Sequence, residues 1–240
     1  WPAKYLIDKD GFIRYRHFGE GAYAETERWI RMLLEEAEAA VADVPMGEDE
    51  VREYDLEADT DDPAESFTRE LYAGFERNAS ALNSGRTPPY VGQTGYYVQP
   101  DEEVFLIDEG EHFNHFLYAQ GWWRTGLESL VHARETEDYE DWIALKFFAT
   151  TVNVVMSAPD EAEPYAVRVT LDGVPLTGDS AGSDIMFDDE GNSYVKVIGD
   201  DMYRLVSTPS FEGHELKLSS NSSDFAVFAF TFGAFRPQDS

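Results

Sequence analysis

The sequence predicts a mainly β protein with a small α/β segment at its start and a jelly-roll β-sandwich after it. Three observations carry this. From Tyr96 onward, short apolar runs alternate with Gly, Asp and Asn turns. Aromatic residues make up 14% of the chain, a texture suited to pleated, half-buried surfaces. One helical period stands out, early: Trp29, Ile30, Leu33, Leu34 and Ala37 recur on one face.

The first element is a hairpin. Tyr5–Asp8 reads as a strand, Lys9-Asp10-Gly11 as a turn, and residues 12–18 as the returning strand. Two strands alone are marginal in water. The opening therefore reads as the middle of a domain. The amphipathic helix follows and is expected to end near Ala42, with Glu25 and Glu27 placed at the positive end of its dipole.

Residues 35–65 hold 14 acids and a single base, Arg52, interrupted by Pro45, Gly47 and Pro63. That composition predicts a solvated linker. It continues through a polar and aromatic stretch, TRELYAGFER (68–77), and a Gly/Pro-rich one, NSGRTPPYVGQTG (83–95). The expected layout is 1–42 for the α/β segment, 43–95 for the linker and 96–236 for the sandwich. Candidate strands include 103–107, 113–120, 121–133, 142–157, 165–171, 194–197, 203–207, 214–219 and 225–234. Val167–Leu171 alternates before the Asp172-Gly173 turn, and 225–232 is apolar enough for a central strand.

The 240 residues carry 48 acids against 18 bases, a formal charge of −30. Such a surface repels nucleic acid and anionic membranes, which excludes both as partners. The acids are spread along most of the chain, as on a protein adapted to high salt. No cysteine is present, so thiolate chemistry, disulfides and thiolate metal sites cannot occur in this chain. No apolar run approaches the roughly 18 residues of a membrane helix. No phosphate-binding glycine loop or nucleophile elbow stands out, and no cofactor, metal or catalytic residue is expected.

Two short patterns are weighed and set aside as structural. His112 and His115 are three apart, but the ligands to complete a zinc site are not identifiable. The stretch Asp188-Asp189-Glu190-Gly191-Asn192 offers oxygens for a cation but reads better as an acidic hairpin tip. Exposed aromatic rings stack sugars, and Tyr118, Trp122, Trp123, Trp142 and Tyr203 are the candidates. Adjacent Trp122 and Trp123 point to opposite faces of a strand, so one of them faces the core.

Together, three stretches resemble the TlpA/DipZ-like branch of the thioredoxin family. WPAKYLIDKDGFIRYRHFGEG and the helix after it resemble the C-terminal half of a thioredoxin-like domain. TRELYAGFER resembles the segment T-x-E-x-Y-x-G that follows such a domain in DipZ-type proteins. Ala229-Phe230-Thr231-Phe232-Gly233 resembles the end of the carbohydrate-binding-module-like sandwich that comes next in them. The resemblance implies that Pro2 occupies the cis-proline position facing a redox centre, where it would contact substrate. It also implies thiol or disulfide protein substrates and a location outside the cytoplasm. The Cys-x-x-Cys half is absent from this chain. The resemblance thus implies the C-terminal portion of an extracytoplasmic thiol-disulfide oxidoreductase, itself redox-inactive. The alternatives are a sandwich module that binds a glycan or a protein through Tyr118, Trp122 or Trp123, and a structural domain of an assembly.

If the acidity is salt adaptation, screening of self-repulsion raises stability. The melting temperature then rises from low to molar KCl, and a flat profile contradicts the reading.

Overall fold

A computed structural model describes residues 3–18, 23–37, 39, 65–159 and 163–233. Pro2 and most of the acidic stretch before residue 65 lie outside the described residues. The chain divides into two compact units, Trp1–Asp55 and Leu56–Ser240.

The first unit holds the small α/β segment. Strand β1 (Ala3–Ile7) pairs antiparallel with β2 (Ile13–Phe18), Leu6 opposite Tyr15. The turn between them is fixed by Asp8, whose Oδ1 accepts the amides of Asp10 and Phe12 at 3.0 and 2.9 Å. Gly11 sits at φ +89°, a conformation glycine adopts without steric cost. Those amide bonds, that of Phe12 first, hold the Asp8 carboxyl below its usual range. Helix α1 (Tyr23–Glu36) is tied to the hairpin by Arg14, which reaches Asp8 at 3.1 Å and Glu36 at 2.8 Å. Tyr15 and Trp29 stack at 5.6 Å.

The second unit is a mainly β sandwich. Its strands are β3 (Leu71–Tyr72), β4 (Glu103–Leu106), β5 (Leu117–Thr125), β6 (Leu130–His132), β7 (Trp142–Ser157) and β8 (Tyr165–Leu171). They continue as β9 (Val174–Pro175), β10 (Ile185–Phe187), β11 (Ser193–Val197), β12 (Asp201–Ser219) and β13 (Ala226–Gly233). All named ladders of this sheet are antiparallel.

The long strands β7 and β12 serve both layers. The first half of β7 lies between β5 and the end of β12, and its second half between β13 and the start of β12. The sequence shows why. Inward positions on β7 are odd through Ile143, Leu145, Phe147 and Ala149, then even through Val152, Val154 and Met156. A one-residue change of parity moves the apolar set to the other face. It coincides with the register shift between Ser207 and Glu212 on β12. One layer runs β4-β5-β7-β12-β8-β11-β10, and β6 links it to β13 by pairing with both β5 and β13.

Residues 68–95, expected in the linker, are bonded into this unit. Leu71 and Tyr72 pair with Phe230 and Ala229. Thr68 is fully buried: its Oγ1 accepts the Phe148 amide and donates to Asn114 Oδ1, both at 2.7 Å. At Gly74 a Cβ would come within 2.4 Å of the Glu128 backbone, so this contact admits only glycine. Helix α2 (Phe75–Ser84) then ends at Gly85, whose φ is +60°.

Asn78 is the buried hub of this region. Its Nδ2 donates to the carbonyls of Tyr72 and Gly74 at 2.8 and 2.9 Å. Its Oδ1 accepts the amides of Tyr90 and Val91 at 2.8 and 2.9 Å. A single side chain thus holds β3, α2 and the following extended segment together. Tyr96, also fully buried, donates its hydroxyl to Ala73 O at 2.7 Å, and burial pushes that phenol far above its ordinary value.

Asn78→Ala leaves buried donors and acceptors without partners, at about 1–3 kcal/mol each. It is expected to cost about 3 kcal/mol or more, a fall in melting temperature of roughly 6–12 °C by the scaling for a chain of this size. Calorimetry of the variant checks it; an unchanged melting temperature contradicts the hub role.

Candidate binding face

Strand β5 decides which rings reach the surface. Ala119, Gly121 and Trp123 point inward, and Tyr118, Gln120, Trp122 and Arg124 point outward. Trp123 is fully buried and packs on His132 and Phe225 at 5.3 and 5.7 Å, with Nε1 donating to Gln120 O at 2.8 Å. It offers no surface to a ligand. Trp122 is 41% exposed and meets Phe105 of the edge strand β4, itself 47% exposed, edge to face at 5.4 Å.

Behind Trp123 lies a buried polar network. Asp141 Oδ2 lies 3.0 Å from His132 Nε2 and accepts from Arg134 Nε at 2.7 Å, and Asp141 Oδ1 accepts from Arg134 Nη2 at 2.7 Å. His132 Nδ1 faces the Ser222 carbonyl at 2.9 Å. Gly121, at φ +99°, leaves room for this carboxylate; a Cβ there would sit 2.0 Å from Oδ1. Burial alone would raise the Asp141 carboxyl. Hydrogen bonds from Arg134, His132 and the Trp122 amide outweigh it and hold the group below its usual range.

On the outer face, the loop after β4 folds over the layer. His112 stacks on Tyr118 at 4.5 Å and lies between Asp108 at 2.8 Å and Glu215 at 2.9 Å. Asp108 also accepts from Trp142 Nε1 at 3.0 Å. Burial of Asp108 opposes its ionisation, but the Trp142 and His112 hydrogen bonds hold it below the ordinary carboxylate range. Burial raises the Tyr118 phenol, whose oxygen accepts the Phe113 amide at 3.2 Å. Trp142 carries Lys217 over its ring at 4.2 Å. Cross-strand register sets Gln120, Trp142, Ser219, Arg168 and Tyr194 in one row across five strands.

The remaining candidates fall elsewhere. Tyr203 is buried, its hydroxyl donating to Gly199 O at 2.9 Å. His115 points away from His112, within 3.1 Å of the Ser66 hydroxyl. Asp188 caps its own turn by accepting the Glu190 and Asn192 amides. Among the described residues, no group of three or more His, Asp and Glu converges as metal ligands. Nor is any helix among them long and apolar enough to cross a membrane. The His112 clamp and the Asp141 network went unread because their partners lie up to 103 residues apart. The only signal was parity: half-buried positions alternating on β5 and β8.

The chemistry of this face is recognition by rings and charges. A family model described as "Thioredoxin like C-terminal domain" matches residues 68–233, from the Thr68 that anchors β3 to the Gly233 that ends β13. The chain belongs to this family. The thioredoxin-like C-terminal domain family therefore accounts for most of the sandwich unit. Two curated relatives, both Protein DipZ, from Mycobacterium bovis and Mycobacterium tuberculosis, are 51% identical over 41 residues. That match covers 17% of this chain and 6% of each relative's length. Among solved structures, a family two carbohydrate esterase from Clostridium thermocellum in complex with cellohexaose aligns with a TM-score of 0.32 and 17% identity. It covers 46% of this chain and 30% of that one.

Asp141→Asn breaks a buried, charge-paired network and is expected to cost about 3–5 kcal/mol at neutral pH. The native carboxyl titrates below the unfolded one. Its contribution is therefore present above about pH 4, the unfolded value, and fades as pH falls through the lower native value. The stability gap between parent and variant should close over that acid range. Urea titrations from neutral pH to pH 2 check this; a gap independent of pH contradicts it.

Proposed function

We propose that this chain is the C-terminal, redox-silent portion of an extracytoplasmic thiol-disulfide oxidoreductase of the TlpA/DipZ type. The observation that carries the reading is the family match over residues 68–233 in a chain without cysteine. The 51% identity to DipZ over 41 residues supports the same lineage. In this reading residues 1–42 supply the wall of a thioredoxin-like domain, with Pro2 at its cis-proline position against thiol or disulfide protein substrates. Without a thiolate there is no nucleophile for exchange, so electrons reach the substrate only through a Cys-x-x-Cys supplied elsewhere. The sandwich acts by positioning and binding, with Trp122 and Tyr118 on its working face.

The chain alone should leave insulin disulfides intact in the presence of dithiothreitol, at the rate of the reductant by itself. The longer product of its gene, carrying an upstream Cys-x-x-Cys segment, should accelerate the reduction. A gene with no such segment before Trp1, or a longer product without exchange activity, overturns the proposal.

A further inference from the structure

The cations of this acidic protein are not distributed like its acids. Within the strands of the outer face stand Arg124, Lys146, Arg168, Lys196 and Lys217, opposed on those strands by Glu103 and Glu215. Acids outnumber bases 48 to 18 in the chain, so an unpaired base is the unexpected outcome. Elsewhere Arg14, Arg31, Arg134 and Arg204 each hold a carboxylate within 4.0 Å. Among the described residues, none of the five face cations has one. Glu215, directly opposite Lys146 in the ladder, turns instead to His112. Lys217 and Arg168 lie over the rings of Trp142 and Tyr139 at 4.2 Å each. Asp188, on the neighbouring hairpin, feels the charge of Arg168 but spends its oxygens on its own turn.

A cation over a ring keeps a face for an outside anion and presents it beside a flat apolar surface. The row from Gln120 to Tyr194 crosses four strand spacings, about 19 Å. In mid-layer the backbone donors are consumed by the ladder, so a ligand there meets side chains alone. A peptide, which gains from backbone pairing at a sheet edge, has nothing to gain at this place. A sugar chain with carboxylate substituents does: its C–H faces cover rings and its charges meet the unpaired cations.

We propose that the outer face built around Trp142, Lys217, Arg168 and Tyr194 binds an anionic polysaccharide. The inference is independent of the redox reading, which concerns residues 1–42 and a cysteine pair outside this chain. Charge complementarity selects the occupant: a neutral glycan leaves the cations unused, and a polyanion without sugar rings leaves the aromatics unused.

The test titrates the chain with polygalacturonate, following tryptophan fluorescence and calorimetry at moderate salt. Dextran serves as the neutral polymer and poly-L-glutamate as the acidic peptide. Polygalacturonate should bind, and affinity should fall as salt rises. Lys217→Glu should weaken it about tenfold or more, equivalent to about 1.4 kcal/mol. Arg86→Glu makes the same change in net charge at an exposed turn residue off the face and should alter affinity less than about twofold. Lys196→Glu, at an exposed strand position, repeats the test should Lys217→Glu fail to fold, with melting curves as the control. Equal binding of poly-L-glutamate would make the occupant an acidic peptide and overturn the proposal. Equal binding of dextran, equal effects of Lys217→Glu and Arg86→Glu, or no binding of polygalacturonate would overturn it too.

Discussion

The sandwich depends on one closure: a two-residue strand, Leu71–Tyr72, zipped to Phe230–Ala229 near the other end of the unit. Two residues of ladder would not hold by themselves. They hold because Thr68, Gly74, Asn78 and Tyr96 each fix a neighbour of that strand to a different part of the core. The closure places β13 between β3 and the second half of β7, which covers Phe230 and Leu71 completely. It also explains why a family defined from Thr68 to Gly233 begins and ends where it does. Its two ends are hydrogen-bonded partners.

From that closure the surface follows. With β7 committed to β13 in its second half, its first half is free to carry β5 and β12 in the other layer. The outward row of that layer then falls on Gln120, Trp142, Ser219, Arg168 and Tyr194. A buried polar network under Trp123 and the His112 clamp over Tyr118 set the two sides of the same strand. The rigid ladder spaces the rings and cations; no flexible loop is needed to assemble them.

Much of the β architecture was legible in the sequence. Strands β7 and β8 match the expected 142–157 and 165–171, because alternation and continuous apolar runs are local signals. The small α/β segment was legible for the same reason. The integration of residues 68–95 was not. Gly, Pro and Asn in this stretch are the residues of loops, and a buried Asn78 breaks the apolar stripe of α2. Its worth comes from contacts with Tyr90 and Val91, which no local pattern predicts. Likewise 203–207 and 214–219 read as two strands, while the structure runs one strand, β12, through both with a register shift. On the face, adjacency told that Trp122 and Trp123 diverge but not which is buried. That was settled by Gly121 and Asp141, which hold the inward side together.

Native-state hydrogen exchange tests the closure most directly. The amides of Ala73 and Phe148 donate to Phe228 O and Thr68 Oγ1. If the unit opens only as a whole, both exchange with the same free energy as the amides of the central ladder between β7 and β12, and denaturant lowers all of them in parallel. If Ala73 and Phe148 exchange markedly faster while the central ladder stays protected, residues 68–95 are an appendage to the sandwich, and the account fails.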